Sequence, residues 1–169
     1  NLTVENGPNR PKLGELPNWI INEEREQNDH PIKHLSSGPE MGRSESDILE
    51  YIDGKYRYLD RHPWWNKYAG PLPVVVGHYW RMRETIVSGH SIFKGLDPWR
   101  WLGPKGLVFC VDYSAGRRYR DRASQSHDTH KGLAALLWPA LQDGAPVDTP
   151  DLLFSDGTRK QTTGFAANR

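Results

Sequence analysis

The strand-like apolar runs of this 169-residue chain all lie beyond residue 70, and that limits what it can fold into. Three short runs stand out: Pro73-Val74-Val75-Val76-Gly77, Gly106-Leu107-Val108-Phe109-Cys110-Val111-Asp112-Tyr113, and Gly132-Leu133-Ala134-Ala135-Leu136-Leu137-Trp138-Pro139. β-Branched residues and bounding glycines or prolines read them as strands, and the unbroken apolarity of the first two predicts burial on both faces. The polar stretch Ser114–Lys131 would then be a long hairpin loop between the second and third. The expected class is α/β (α+β).

The first half offers less to bury. Asn1–Pro17 has the makeup of a loop, and residues 1–35 as a whole read as a poorly structured segment. Within it, Asn22–Gln27 predicts a short exposed helix that ends at His30-Pro31. Turn chemistry fills Ile32–Gly42. Ile48, Leu49, Ile52, Tyr56 and Leu59 recur at three- and four-residue intervals behind the potential N-caps Ser44 and Ser46, which predicts a helix weakened by Gly54. Residues 141–169 read as a tail, fraying over 156–169.

Charge and cysteine content exclude several classes. The longest apolar runs fall far short of the ~20 residues that span a bilayer. With 22 Lys+Arg against 21 Asp+Glu, the chain lacks the broad basic surplus of a nucleic-acid-binding domain. The single cysteine, Cys110, forbids an intrachain disulfide and points to a reducing, cytoplasmic setting, where it is expected to serve as a small core hydrophobe. The chain opens at Asn1 without an initiator Met, which reads as a processed or partial product.

Residues able to carry chemistry are few. Val74-Val75-Val76-Gly77-His78 sets an imidazole at the carboxyl edge of a strand, where open α/β sheets place ligands and metals, with Gly77 permitting close approach of the backbone. The plain alternative is a partly buried histidine capping the strand. Gly116-Arg117-Arg118-Tyr119-Arg120-Asp121-Arg122 brings together guanidinium groups that can fork onto phosphate, Arg117, Arg118 and Arg120 among them; the alternative is a solvated loop. His127 and His130 sit three apart in a polar run, and His62 reads as a surface residue. The seven tryptophans mostly read as packing, Trp138 above all, with Trp99-Arg100-Trp101 alternatively lining a groove or covering a partner.

Taken in order, Ser37-Gly38-Pro39-Glu40, Trp64-Trp65, Pro73-Val74-Val75-Val76-Gly77-His78-Tyr79-Trp80, Val108–Ser114 and Leu133–Pro139 resemble the C-terminal half of calcineurin-like metallophosphoesterases. The likeness is to the bacterial serine/threonine phosphatase and diadenosine tetraphosphatase branch, over about residues 36–140. It implies part of a β-sandwich flanked by helices, incomplete here, with His78 as a metal ligand, and Gly77 and Asp112 as its support. It further implies a dinuclear Mn, Fe or Zn centre in the whole enzyme, and a phosphorylated small molecule or phosphoprotein as substrate. The family's Asp-x-His, Gly-Asp-x-x-Asp-Arg and Gly-Asn-His-Glu motifs are absent in a suitable context; Asp128-Thr129-His130 follows a polar run, not a buried strand. The expectation is therefore a C-terminal fragment, inactive alone. The rival reading is a non-catalytic binding or scaffold domain that uses the aromatic and arginine-rich surface.

Overall fold

A computed structural model describes residues 18–42, 50–52, 55–57, 59–89, 91–117, 130–139, 141–142, 145–146 and 148–166. The described residues are mixed α/β, with two helices and several small sheets, and the chain divides into two units, Asn1–His62 and Pro63–Arg169.

In the first unit the expected exposed helix is present and longer, α1 over Asn18–Asp29, with Ile20 buried. A second helix, α2 (Pro31–Ser37), occupies the stretch read as turns. Pro31 suits the first turn because its missing N–H has no intrahelical partner to lose. His30 Nδ1 caps by accepting from Lys33 N at 3.4 Å, and Gly38, at φ 77°, ends the helix. Three polar side chains of α1 then hold the backbone beyond α2. Asn28 accepts from Glu40 N at 2.9 Å and donates to Glu40 O at 2.7 Å, Glu24 accepts from Gly42 N at 2.9 Å, and Gln27 donates to Gly38 O at 3.2 Å.

The helix expected near Ile48–Leu59 is replaced by strands. β1 (Glu40–Gly42) pairs antiparallel with β4 (Leu59–Arg61), and β2 (Glu50–Ile52) pairs with β3 (Lys55–Arg57). Ile52 faces Lys55 in register, which leaves Asp53-Gly54 between them, the composition that most favours a hairpin. Cross-strand pairing on either side of Asp-Gly overrides the helical spacing; Ser44, Ser46, Ile48 and Leu49 lie outside the described residues. His62 is half-buried, its Nδ1 3.3 Å from Met41 Sδ.

The second unit begins with a 3₁₀ turn, Trp64–Lys67, that buries Trp65. All three predicted strands form within it. β5 (Val74–Val76) and β6 (Val108–Cys110) run parallel, and β7 (Ala134–Leu137) comes after them. β6 is buried on both faces as expected, but β5 is not: Val75 is 46% exposed, and among the described residues β5 pairs only with β6. β7 does not form a hairpin with β6. Isolated bridges from Tyr113 and Ser114 to Gly132 join their neighbourhoods, and β7 pairs along its length with β10 (Asp151–Phe154). β10 turns back into β11 (Arg159–Gln161), and β8 (Leu141–Gln142) with β9 (Ala145–Pro146) makes a further small hairpin.

The segment read as a tail is thus structured. Leu152, Phe154 and Thr162 are buried, and the turn at Asp156-Gly157, with Gly157 at φ 83°, reverses the chain between β10 and β11. Trp101 donates to Thr162 Oγ1 at 2.9 Å, and Phe165 packs on Trp101, so residues beyond 160 complete the core. Trp101 is therefore interior, not a groove lining, and Trp99 stacks on Tyr113. Trp138, expected inside, is 41% exposed and meets Trp101 and Phe165 by ring edges.

Alternation along β6 divides the interior. Val108 and Cys110 join Trp65, Tyr79, Phe93 and Leu102, while Phe109 joins Trp101, Tyr113, Leu152 and Phe154. Successive strand side chains point to opposite faces, so one strand serves both clusters.

This packing makes Cys110 chemically quiet. Burial pushes its thiol up to about 11, so it should resist a thiol reagent at pH 8 in the folded chain and react stoichiometrically in denaturant; rapid labelling of folded protein would contradict its burial. At the β10–β11 turn, Arg83 Nη1 donates to Asp156 at 2.6 Å, and that bond, with Thr158, holds the Asp156 carboxyl well below the usual carboxylate range. A depressed folded-state value adds stability above the unfolded carboxylate value, about 3.9, and that stability is lost as pH falls through the folded value. Denaturation series should show the parent losing its advantage over Asp156→Asn only as the pH drops below that range.

Candidate functional site

Non-glycine residues with positive φ are few, and among the described residues they cluster. His78 (φ 70°), Trp80 (φ 56°) and Ser114 (φ 59°) all lie just past the carboxyl ends of β5 and β6. Each costs about 1–3 kcal/mol relative to ordinary backbone, and such residues persist only where their surroundings over-determine them.

Asp112 supplies much of that determination. After β6 ends at Cys110, Val111 N donates to Val76 O at 2.9 Å and extends the parallel pairing by one residue. Asp112 O then accepts from Arg81 N at 2.8 Å, its Oδ1 accepts from Ser114 N at 2.9 Å, and its Oδ2 lies 3.4 Å from Trp80 N. Ser114 is buried, and its Oγ donates to Arg81 O at 3.1 Å. One carboxylate thereby binds the segment after β5 to the segment after β6.

The exposed side of this junction carries His78, Trp80 and Arg117. The His78 and Trp80 rings meet edge to face at 6.3 Å between centroids, and Arg117 Cζ lies 4.6 Å from the Trp80 ring centre. Arg117 N also donates to Ser114 O at 3.0 Å, so the backbone of the arginine segment starts from the same junction. The guanidinium keeps its donors available while stacked, because the attraction is to the ring quadrupole. Below lies Arg81, 1% exposed, with Phe93, Phe109 and Tyr113 around its guanidinium. Burial disfavours the charge on Arg81, with the attraction of Tyr113, Cys110 and Asp97 opposing it. Burial likewise raises the Tyr113 hydroxyl far above its usual range, where it donates to Pro98 O at 2.7 Å.

Of the residues singled out from sequence, the structure brings together His78, Asp112 and Arg117. Arg118 and Arg120 lie outside the described residues, as do His127 and Asp128. His130 is placed elsewhere, 3.1 Å from Glu84. Gly77 needs a different account: a Cβ there would meet nothing within 4 Å, and the unusual backbone belongs to His78. Trp80, Arg81 and Ser114 were missed. A tryptophan and an arginine shortly after Gly-His are the visible signal for the first two, whereas nothing in the sequence marks Ser114.

Among the described residues no three His, Cys, Asp or Glu side chains stand together as a metal would require. The His78 imidazole suits one coordination position, but both Asp112 carboxylate oxygens already face backbone N–H groups. The donor set described therefore does not make a complete metal centre. No helix among the described residues is long and apolar enough to cross a membrane. No family model, curated protein or solved structure matches the chain.

Removing the Asp112 carboxylate should loosen the junction. Asp112→Ala is expected to cost about 1–3 kcal/mol by urea denaturation, and Asp112→Asn, which keeps one acceptor, measurably less. Equal losses in the two variants would show that a single remaining acceptor does nothing to hold the junction.

Proposed function

We propose that this chain serves phosphoester hydrolysis, as the C-terminal portion of a metal-dependent phosphoesterase of the calcineurin-like type. Its parallel β5–β6 pair and antiparallel β7–β10–β11 sheet would belong to the two layers of that sandwich. The observation that carries the reading is the meeting of His78, Trp80 and Arg117 at the carboxyl ends of parallel strands. That is where open sheets bind their ligands. The order of motifs from Pro73 to Ser114 supports it.

Arg117 would donate two parallel hydrogen bonds to a phosphoryl group of a small molecule or phosphoprotein, with Trp80 fixing the guanidinium plane. Arg118 and Arg120 would extend that contact. His78 would hold a divalent ion, Mn, Fe or Zn, by its neutral imidazole. A bound ion supplies a water of lowered pKa. One imidazole does not complete such a site, so no catalytic step is assigned to this chain.

A second reading rests on the exposed Trp80–Arg117 pair: a surface that holds a phosphorylated partner without hydrolysing it. Metal binding separates the two. By titration calorimetry, inorganic phosphate should bind the parent chain about tenfold more tightly than Arg117→Ala, the loss of one charge-assisted contact. In the enzyme reading Mn(II), followed by its paramagnetic resonance, should bind the parent and lose about tenfold in affinity in His78→Ala. Equal Mn(II) binding by parent and His78→Ala would leave only the binding surface. Hydrolysis of a chromogenic phosphate ester by the chain alone is not expected, and turnover would mean that this chain holds further ligands.

A further inference from the structure

Arg81 is a costly residue to bury. Among the described residues its guanidinium is one of the least exposed groups, and its Nε and Nη1 have no hydrogen-bond partner there. Nη2 alone is satisfied, donating to Asp97 O at 2.9 Å and Arg100 O at 2.7 Å. The nearby Asp97 carboxylate is engaged elsewhere, accepting from Trp99 N at 3.0 Å and Thr163 Oγ1 at 2.7 Å. An orphaned buried donor costs about 1–3 kcal/mol, and more when charged. Stability alone would favour an apolar residue here.

Its connections show what it secures. The guanidinium carbon lies 5.4 Å from the Phe93 ring centre in one aromatic cluster, and 5.0 and 5.9 Å from Phe109 and Tyr113 in the other. A planar, weakly hydrated cation is suited to such a place, where an ammonium is not. The backbone of Arg81 is gripped on both sides, its N–H by Asp112 O and its carbonyl by Ser114 Oγ. Val76, bonded by Val111 N, fixes the other end of the same segment. Gly77 to Trp80 is therefore an arch clamped at both ends, and His78 and Trp80 are its two left-handed residues.

We infer that Arg81 is a positioning residue: its caged guanidinium anchors the arch that presents His78 and Trp80 to a phosphorylated ligand. The inference rests on the phosphoester reading for the ligand, but not for the anchoring. Without the anchor the arch relaxes toward negative φ, and the imidazole and indole leave their present relation.

The test uses the full chain with Arg81→Lys, which keeps a charge but not the plane, and Ser114→Ala, which removes one grip while sparing the cage. Hydrogen exchange is followed at the backbone amides of positions 80 and 81, with Leu152 and Phe154 as core references. Exchange at 80 and 81 should rise about tenfold or more in both variants while the references change little, and phosphate affinity should fall with it. Unchanged exchange at 80 and 81, or an equal rise at the core amides in both variants, would overturn the inference, since either makes Arg81 ordinary packing. Failure of the parent chain to bind phosphate would count against the phosphoester reading and leave the exchange result to decide the anchor.

Discussion

The second unit depends on a single three-residue strand that is covered on both faces. Val108, Phe109 and Cys110 are fully buried, and each side of β6 meets its own set of aromatic rings. Trp65 and Phe93 stack on one side, and Trp101 tilts against Phe109 on the other. Fully burying an aliphatic or aromatic side chain contributes roughly 1.5–3 kcal/mol, so a strand this short can organise two clusters only because nothing on it is left in water. β5, with one side half exposed, takes its position from β6.

That arrangement dictates the course of the chain beyond the strand. Asp112, Tyr113 and Ser114 continue from β6 while the chain is still enclosed, and their polar groups must find partners inside the protein. They find them on the segment after β5. The Asp112 carboxylate accepts from the N–H groups of Ser114 and Trp80, the Arg81 backbone bonds the Asp112 carbonyl and the Ser114 hydroxyl, and the cost is three residues with left-handed backbone. The chemistry offered to solvent by His78, Trp80 and Arg117 is thus built on a network that faces inward.

Much of the fold was legible in the sequence, and the failures share a cause. Unbroken apolar runs located β5, β6 and β7, and the buried position of Cys110 came from its place in such a run. Partner choice was not legible: β7 lies against β10, well along the chain, because Leu152 and Phe154 need the same aromatic cluster as Phe109. Both misread segments contain Asp-Gly between short strands, at Asp53-Gly54 and Asp156-Gly157. Chance spacing of Ile52, Tyr56 and Leu59 imitated a helix across the first, and polar composition imitated a tail across the second. For the site, a histidine ending a strand was visible. The left-handed backbone was not, because Trp and Ser carry no preference for it and His only a modest one.

The left-handed residues also constrain the chain as it varies. Glycine at position 78 or 80 would adopt the same backbone without the steric penalty, so selection for stability alone would drift toward glycine at both. Under the proposed function, an imidazole and an indole at these positions would give up stability for what their side chains present to a ligand. A library of folded variants, ranked first by thermal resistance and then by ligand capture, would therefore order these two positions in opposite ways.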